Sequence, residues 1–339
     1  METQVLGCGQ AELARAAEVI RAGGLVAFPT ETVYGLGADA LSAAAVARVF
    51  AAKERPRFDP IIVHVASPEE AEGLWREVPA TARKLMEGFW PGPLTLVLPK
   101  SRAVPEIVTA GLPTLAVRMP DHPVALGLIR AAGRPIAAPS ANRFGRPSPT
   151  HHEHVLDSLG GRIEAVLACG PTQVGIESTV ISLVESPPRV LRPGGTPLEA
   201  IREVVGELRV DPPRPEPGAA PAPGTLPRHY TPVTPLFLLE RGEPEGGERL
   251  PRRRCGLLAL RGAWQGFARV EALSEAGDLQ QAAARFFAAL HELDRAGLAG
   301  IVAEPVPEEG LGVAIMDRLR RAAAGRARLD PQWVWITRG

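Results

Sequence analysis

Apolar positions along residues 1–206 recur at two different spacings, and the spacing changes from segment to segment. Leu13, Ala16, Ala17 and Ile20 share one stripe at helical period, which predicts a helix over residues 11–22. Residues 42–53 repeat that pattern with Ser42 as N-cap, and residues 123–132 form a third such helix. Short apolar runs bounded by turn residues predict strands over 25–29, 61–65, 94–98, 114–119, 136–139, 166–168, 179–183 and 190–191. Between the first of these strands and the helix at 42 lies TETVYGLGAD, whose glycines read as turns. Thr150 and Glu153 have the spacing of a capping box opening one more helix. Strands interleaved with helices give an α/β class: a twisted mixed sheet with helices.

After residue 235 the alternation is simpler. Strands are expected at 236–239, 255–260 and 300–303, and helices at 278–295 and 312–324. Leu279, Ala282, Phe286, Ala289, Leu290 and Leu293 form the apolar face of the first of these helices. The expected architecture is a smaller parallel, Rossmann-like α/β domain. Between the two regions, nine of residues 211–235 are proline. Proline fixes φ and removes a backbone donor, so neither helix nor central strand can run there. The expected organisation is a domain over 1–206, a proline-rich linker over 207–235 that is expected to serve as an active-site lid, and a second domain over 236–339.

Composition narrows the function classes. The 339 residues carry 38 basic and 38 acidic side chains, which excludes a polybasic nucleic-acid coat. Residues 1–206 balance 20 Lys/Arg against 21 Asp/Glu. Lysine occurs only at 53, 84 and 100. Cys8, Cys169 and Cys255 lie far apart, offering neither a disulfide framework nor zinc-ligand spacing, so a reducing compartment is expected. The longest apolar stretch, near residues 23–29, is far short of the ~20 residues of a spanning helix. The N-terminus lacks the pattern of an export signal, and a cytoplasmic location is expected.

Candidate chemistry sits in the loops. There is no GxxxxGK[ST], no HExxH and no GxSxG, and no GxGxxG follows a strand. Lys53, Arg55 and Arg57 end a helix within five residues. Such cations either grip an anion or complement a helix C-terminus. His64 alternates with apolar neighbours, as either a core histidine or a site residue would. Ser140, Asn142 and Ser148 lie in a Gly/Pro loop after a strand, suited to ligand hydrogen bonds or to ordinary turn chemistry. Ser178 and Arg192 stand at similar strand boundaries. His151, His152 and His154 read as a solvated first helical turn rather than a metal site.

The order of these segments is more specific than any one of them. PTETVYGLG at 29–37, KERP at 53–56, FWPGPLT at 89–95, AVRMP at 116–120, PSAN at 139–142, VGIESTV at 174–180 and LRPGG at 191–195 together resemble the YrdC-like family. Lys53 with Arg55, and Ser140 with Asn142, match its signature pairs. The string PGTLPRHYTP at 223–232, followed by a small α/β domain, is similar to the long two-domain form. The resemblance covers essentially the whole chain and implies an L-threonylcarbamoyladenylate synthase. Such an enzyme joins L-threonine, bicarbonate or CO2, and ATP into threonylcarbamoyl-AMP, with release of pyrophosphate. The product serves threonylcarbamoyladenosine modification next to the tRNA anticodon. The family's catalytic domain carries a positively charged cavity.

By that resemblance L-threonine meets Thr32, His64, Arg118, Ala138 (through its backbone) and Ser178. The nucleotide meets Arg55, Asp59, Thr114, Ser140, Asn142, Ser148, Arg192 and the linker's Tyr230. Lys53 and Arg55 are the catalytic cations, with Lys53 between the two substrates. Asp59 stands where the family usually has Asn, and Phe144 where it usually has Ser. Mg2+ is expected to accompany ATP, with no structural metal. A downstream tRNA threonylcarbamoyl transferase complex is the expected recipient, with weak tRNA contact and no membrane partner. Two other readings compete. A non-catalytic module for double-stranded RNA would suit a basic concavity. A carbamoyl-phosphate-using maturation factor would carry zinc-finger cysteines, which this sequence lacks.

Overall fold

The computed structural model describes residues 2–56, 58–210, 229–243, 247–262 and 264–339. Arg57 and residues 211–228, which hold most of the proline-rich segment, lie outside the described residues. The rest divides into two compact units, one built on residues up to 144 and from 148 to 210, the other on 145–147 and from 229 onward.

In the first unit the elements run β1 (Gln4–Leu6), α1 (Gln10–Arg21), β2 (Val26–Pro29), β3 (Tyr34–Asp39), α2 (Ala43–Lys53), β4 (Val63–His64), α3 (Pro68–Leu74), α4 (Ala80–Phe89), β5 (Leu94–Pro99), α5 (Glu106–Thr109), β6 (Thr114–Arg118), α6 (Pro123–Ala132), β7 (Ile136–Ala137), α7 (His152–Leu159), β8 (Ala165–Leu167), β9 (Thr179–Ser182), β10 (Arg189–Arg192) and α8 (Leu198–Val205). The ten strands form one mixed sheet in the order β1-β8-β2-β3-β7-β4-β6-β5-β9-β10. α6 shows why its sequence is helical. His122 caps its first turn through Nδ1 to the Val124 N–H, Pro123 is its first residue, and Gly133 ends it in the left-handed region. Its buried stripe, Val124, Ala125, Leu128, Ile129 and Ala132, packs with Ala16, Ala17 and Ile20 of α1. Val26, Phe28, Ala165 and Leu167 complete that core from the sheet.

Three expectations are corrected. TETVYGLGAD is not all turn: residues 34–39 form β3, antiparallel to β2. Gly37 is there for closeness rather than for turning. A Cβ at that position would stand 2.8 Å from the Phe28 ring and 2.9 Å from an Ile136 methyl. The capping box does not form, because α7 begins one residue late with His151 as N-cap and no side-chain cap bond. The Thr150 backbone instead serves the loop, its N–H donating to His154 Nδ1 and its carbonyl accepting from Thr172 N–H. Finally, Cys8 and Cys169 form a disulfide with Cα atoms 5.6 Å apart. β1 and β8 are parallel neighbours with Leu6 opposite Leu167, so the residues two steps further on fall side by side. A separation of 161 residues hides that pairing from the sequence. Cys255 is the free cysteine, buried, and its thiol is pushed up to about 11 by burial.

The second unit contains β11 (Leu236–Leu239), β12 (Glu248–Pro251), β13 (Cys255–Ala259), β14 (Arg269–Ala272), α9 (Leu279–Arg295), β15 (Gly300–Ala303), α10 (Gly312–Ala322), β16 (Gly325–Leu329) and β17 (Trp333–Arg338). Its sheet order is β12-β17-β16-β11-β15-β13-β14. The five strands from β16 to β14 are parallel, the expected β11, β13 and β15 together with β14 and β16, which the sequence did not show. β17 and β12 add an antiparallel edge that the sequence reading missed. Val334 and Ile336 of β17 point into the core while Arg249 stacks over Trp333 on the edge, with its guanidinium carbon 4.6 Å from the ring centre. No helix among the described residues is long and apolar enough to cross a membrane.

Candidate active site

The first unit gathers its polar residues over an apolar floor. Ile62, Val97, Ala116, Val180 and Leu191 form that floor as a buried cluster of their own, apart from the α1–α6 core. Strand alternation places Thr114 and Arg118 on the same face of β6 as Ala116. Thr114 is half-buried at the start of the strand. His64 sits beside Arg118, because the two are register partners in the parallel pair β4–β6. On its other side His64 is paired with Ile136 of β7. Ala138 follows β7 and is anchored by its N–H to the Ile62 carbonyl.

At one end of the floor Arg118 is 3% exposed. Its Nη2 meets Glu31 Oε2 at 2.5 Å and its Nη1 donates to Thr32 Oγ1 at 2.9 Å. Thr32 Oγ1 also lies 2.8 Å from Thr30 Oγ1, whose own proton goes to the Val33 carbonyl at 2.7 Å. Thr32 must therefore donate to Thr30, which fixes the direction of its hydroxyl and leaves its oxygen as an acceptor. Burial, then the Arg118 charge, pushes His64 down to about 3, so it stands here as a neutral imidazole. Burial also lowers Arg118 below its ordinary value, against the pull of Glu31.

The other end carries the cations. Lys53 is the last residue of α2, and Glu54 turns the chain out of the helix at φ 55°. Lys53 is 1% exposed, and its Nζ donates to the carbonyls of Ser140 and Asn142 at 2.5 Å each. Its own carbonyl accepts from Phe144 N–H at 2.9 Å, so the two signature loops are stitched together through one residue. Burial, followed by repulsion from Arg55, holds the Lys53 ammonium well below its usual value. Arg55 donates to the Pro60 carbonyl at 2.8 Å, pairs with Asp59 at 2.9 Å, and lies 6.0 Å from the Phe144 ring centre. Asp59 is fully buried. Burial raises its carboxyl, against the attraction of Arg55, Lys53 and Arg192.

Ser178 joins the two ends. It lies 2.7 Å from Thr95 Oγ1, while Arg192 Nη2 donates to its carbonyl at 2.9 Å and its hydroxyl at 3.2 Å. Gly194 permits this closeness: a Cβ there would stand 2.3 Å from the Glu177 carbonyl oxygen. Ser148 donates to the Glu177 carboxylate. Glu31, Thr95 and Glu177 were not among the sequence candidates, although all three lie inside the motifs PTETVYGLG, FWPGPLT and VGIESTV. Tyr230 belongs to the second unit, where it is 1% exposed with its ring 5.5 Å from that of Phe287. Ligand atoms of His151, His152 and Glu153 come within 4.8 Å of one another at the start of α7.

Comparison with known proteins shows what the chain is similar to. Residues 18–194 match the Sua5–YciO–YrdC family, described as "Telomere recombination". Residues 196–324 match the family described as "Threonylcarbamoyl-AMP synthase, C-terminal domain". A threonylcarbamoyl-AMP synthase of Pyrococcus abyssi is 46% identical, the alignment spanning 92% of this chain and 94% of the relative. One of Bacillus subtilis is 44% identical over 96% of each. The crystal structure of P. abyssi Sua5 complexed with L-threonine superposes with a TM-score of 0.87 at 43% identity, covering 97% of this chain and 100% of that one. A P. abyssi Sua5 with a histidine and a tyrosine replaced by alanine gives 0.86 at 42% identity, over 97% and 99%. Two matched domains and 44–46% identity over nearly the full chain agree, and the chain belongs to the threonylcarbamoyl-AMP synthase family.

Proposed function

We propose that this chain makes threonylcarbamoyl-AMP from L-threonine, bicarbonate or CO2, and ATP, releasing pyrophosphate. The observation that carries the reading is the gathering of ionic side chains out of water. Lys53, Arg55, Asp59 and Arg192 are all buried, and Asp59 feels the charge of the other three. Arginine forks and a lysine point charge suit an anionic ligand, and a triphosphate supplies one. The end built by Thr32, His64, Arg118, Ala138 and Ser178 takes threonine, with Arg118 on its carboxylate. The nucleotide lies toward Arg55, Asp59, Thr114, Ser140, Asn142, Ser148 and Arg192.

The chemistry needs no covalent nucleophile. The threonine amine first captures carbon from bicarbonate, losing water, to give a carbamate. A carbamate oxygen then attacks the α-phosphorus in line, and pyrophosphate leaves. Positioning and stabilisation of phosphoryl charge supply the rate. Lys53, at the cation end, is assigned a place between the two substrates by the family resemblance, where its charge would serve both carbamate and α-phosphate. Neutral His64 can bond the substrate without adding charge. Mg2+ would enter with ATP as part of the substrate, where it would offset phosphate charge, and Asp59 is already engaged by Arg55. The labile adenylate passes to a threonylcarbamoyl transferase acting on tRNA, and this chain makes a weak tRNA contact of its own. The reaction is placed in the cytoplasm.

The test is direct. Purified full-length chain with ATP, threonine and bicarbonate should release pyrophosphate and form a product of the mass of threonylcarbamoyl-AMP. Valine, which lacks the hydroxyl, should be rejected by a large factor, and serine should fare better. Pyrophosphate release independent of threonine, or equal kcat/KM for threonine and valine, would overturn the reading.

A further inference from the structure

The Glu31–Arg118 pair is incomplete in a specific way. A guanidinium usually meets a carboxylate as a fork, through two parallel bonds. Here only Nη2 reaches Glu31, at Oε2, because Nη1 is drawn aside to Thr32 Oγ1. Two polar atoms are left over, Glu31 Oε1 and Arg118 Nε, and neither has a hydrogen-bond partner. Each is separated from the 2.5 Å contact by a single carbon of its own side chain. Both residues are 3% exposed. Folded proteins leave few buried polar groups unbonded, and an unmet group costs ~1–3 kcal/mol, more where it is charged. One unused donor and one unused acceptor, on the two members of a single buried ion pair, call for a partner that answers both.

The ligand's chemistry follows by elimination. A carboxylate alone satisfies Nε and leaves Oε1 bare. An ammonium alone does the reverse. A hydroxy acid brings its carboxylate to Nε but offers Oε1 only a neutral hydroxyl. An α-amino acid carries a carboxylate and an ammonium on one carbon, the complement of this pair. We infer that Glu31 binds the α-ammonium of the amino-acid substrate through Oε1, while Arg118 Nε takes its carboxylate. This rests on the reading of Thr32 and Arg118 as the threonine end of the site. It makes Glu31 the residue that selects amino acids over hydroxy acids, and it holds the ammonium in place until its proton passes to solvent and the nitrogen can capture carbon.

The test compares L-threonine with 2,3-dihydroxybutanoate, its analogue with hydroxyl in place of amine, by calorimetric titration of the full-length chain. Wild type should prefer threonine by about 10- to 100-fold, the range of one charge-assisted bond. Glu31→Gln should collapse most of that preference, weakening threonine far more than the analogue. Equal weakening of both ligands, with the ratio intact, would mean that Glu31 only props Arg118, and the inference would fall. Should Glu31→Gln not fold, Glu31→Asp keeps the charge and withdraws the oxygen by one methylene, and the same ratio decides. A wild type that binds no threonine at all would instead overturn the assignment of this end of the site, and the inference with it.

Discussion

Arg55 and Asp59 meet at 2.9 Å, four residues apart in sequence and almost wholly out of water. The pair forms because a proline-bounded loop doubles back after α2 and brings the Asp59 and Pro60 carbonyls to the same guanidinium. Asp59 thus restrains the cation expected to meet phosphate, and its charge opposes an incoming polyanion.

Asp59→Asn should therefore tighten ATP binding. It keeps the shape and an acceptor for Arg55 but removes one negative charge among Lys53, Arg55 and Arg192. The expected change is about tenfold in Kd, the order of one pKa unit of differential interaction. The ligand-free variant should melt earlier, since its buried cations lose their counter-charge, and saturating ATP should recover the loss. Calorimetry with a non-hydrolysable ATP analogue reads the affinity. Unchanged or weaker binding contradicts the account.

Lys53 offers a sharper outcome. Its Nζ is held by two carbonyls at 2.5 Å in a dry setting, where one charge counts for more than in water. Lys53→Ala should lower kcat by ~10²–10³, the usual loss on removing one positioned electrostatic donor. Lys53→Arg should fail as well, because a planar fork cannot occupy a pocket shaped for a point charge. Pyrophosphate release at the wild-type rate from either folded variant would remove Lys53 from the mechanism.

His64 links the site to acid stability. Its imidazole sits near 3 in the fold, against 6.5 as the ordinary value. Between those values the unfolded chain binds a proton that the folded chain does not. Its stabilising contribution is complete above about pH 6.5 and is lost as pH falls toward 3, with a slope of at most ~1.4 kcal/mol per pH unit. His64→Asn should flatten that limb in urea melts between pH 6.5 and 3. Identical slopes for variant and wild type would show that other groups carry the acid sensitivity.

How much of this was legible in the sequence depends on where each partner lies. α6 could be read to the residue because His122, Pro123, the apolar stripe and Gly133 are all local. α3 carried the same kind of signal in Ser67 and Pro68, but its seven residues are too few to show a period. β3 was hidden because its glycines resemble turn residues until Phe28 and Ile136 are seen packed against them. The Cys8–Cys169 bond and the Glu31–Arg118 pair depend on strand order, which spacing does not encode. The candidate residues came from motif order, and their partners became visible only once the sheet was assembled.

Tyr230 is the candidate whose setting asks most of the hypothesis. In the second unit its ring lies 5.5 Å from that of Phe287, with the Arg318 guanidinium carbon also 5.5 Å from the ring centre, and its backbone takes φ 62°. The family resemblance assigns it to the nucleotide, and we propose the tyrosine hydroxyl as that contact. Tyr230→Ala cannot test this alone, since losing a buried aromatic costs ~3–5 kcal/mol in its own core. Tyr230→Phe can, because it keeps the ring on Phe287 and under Arg318 and deletes only the hydroxyl. The expected result is a Phe variant that melts like wild type, binds the ATP analogue several-fold more weakly and loses the adenylate to solution faster in single-turnover assays. The Ala variant should show these defects together with a lower Tm. A Phe variant matching wild type in nucleotide affinity and adenylate retention would leave Tyr230 a packing residue, with its hydroxyl outside the reaction.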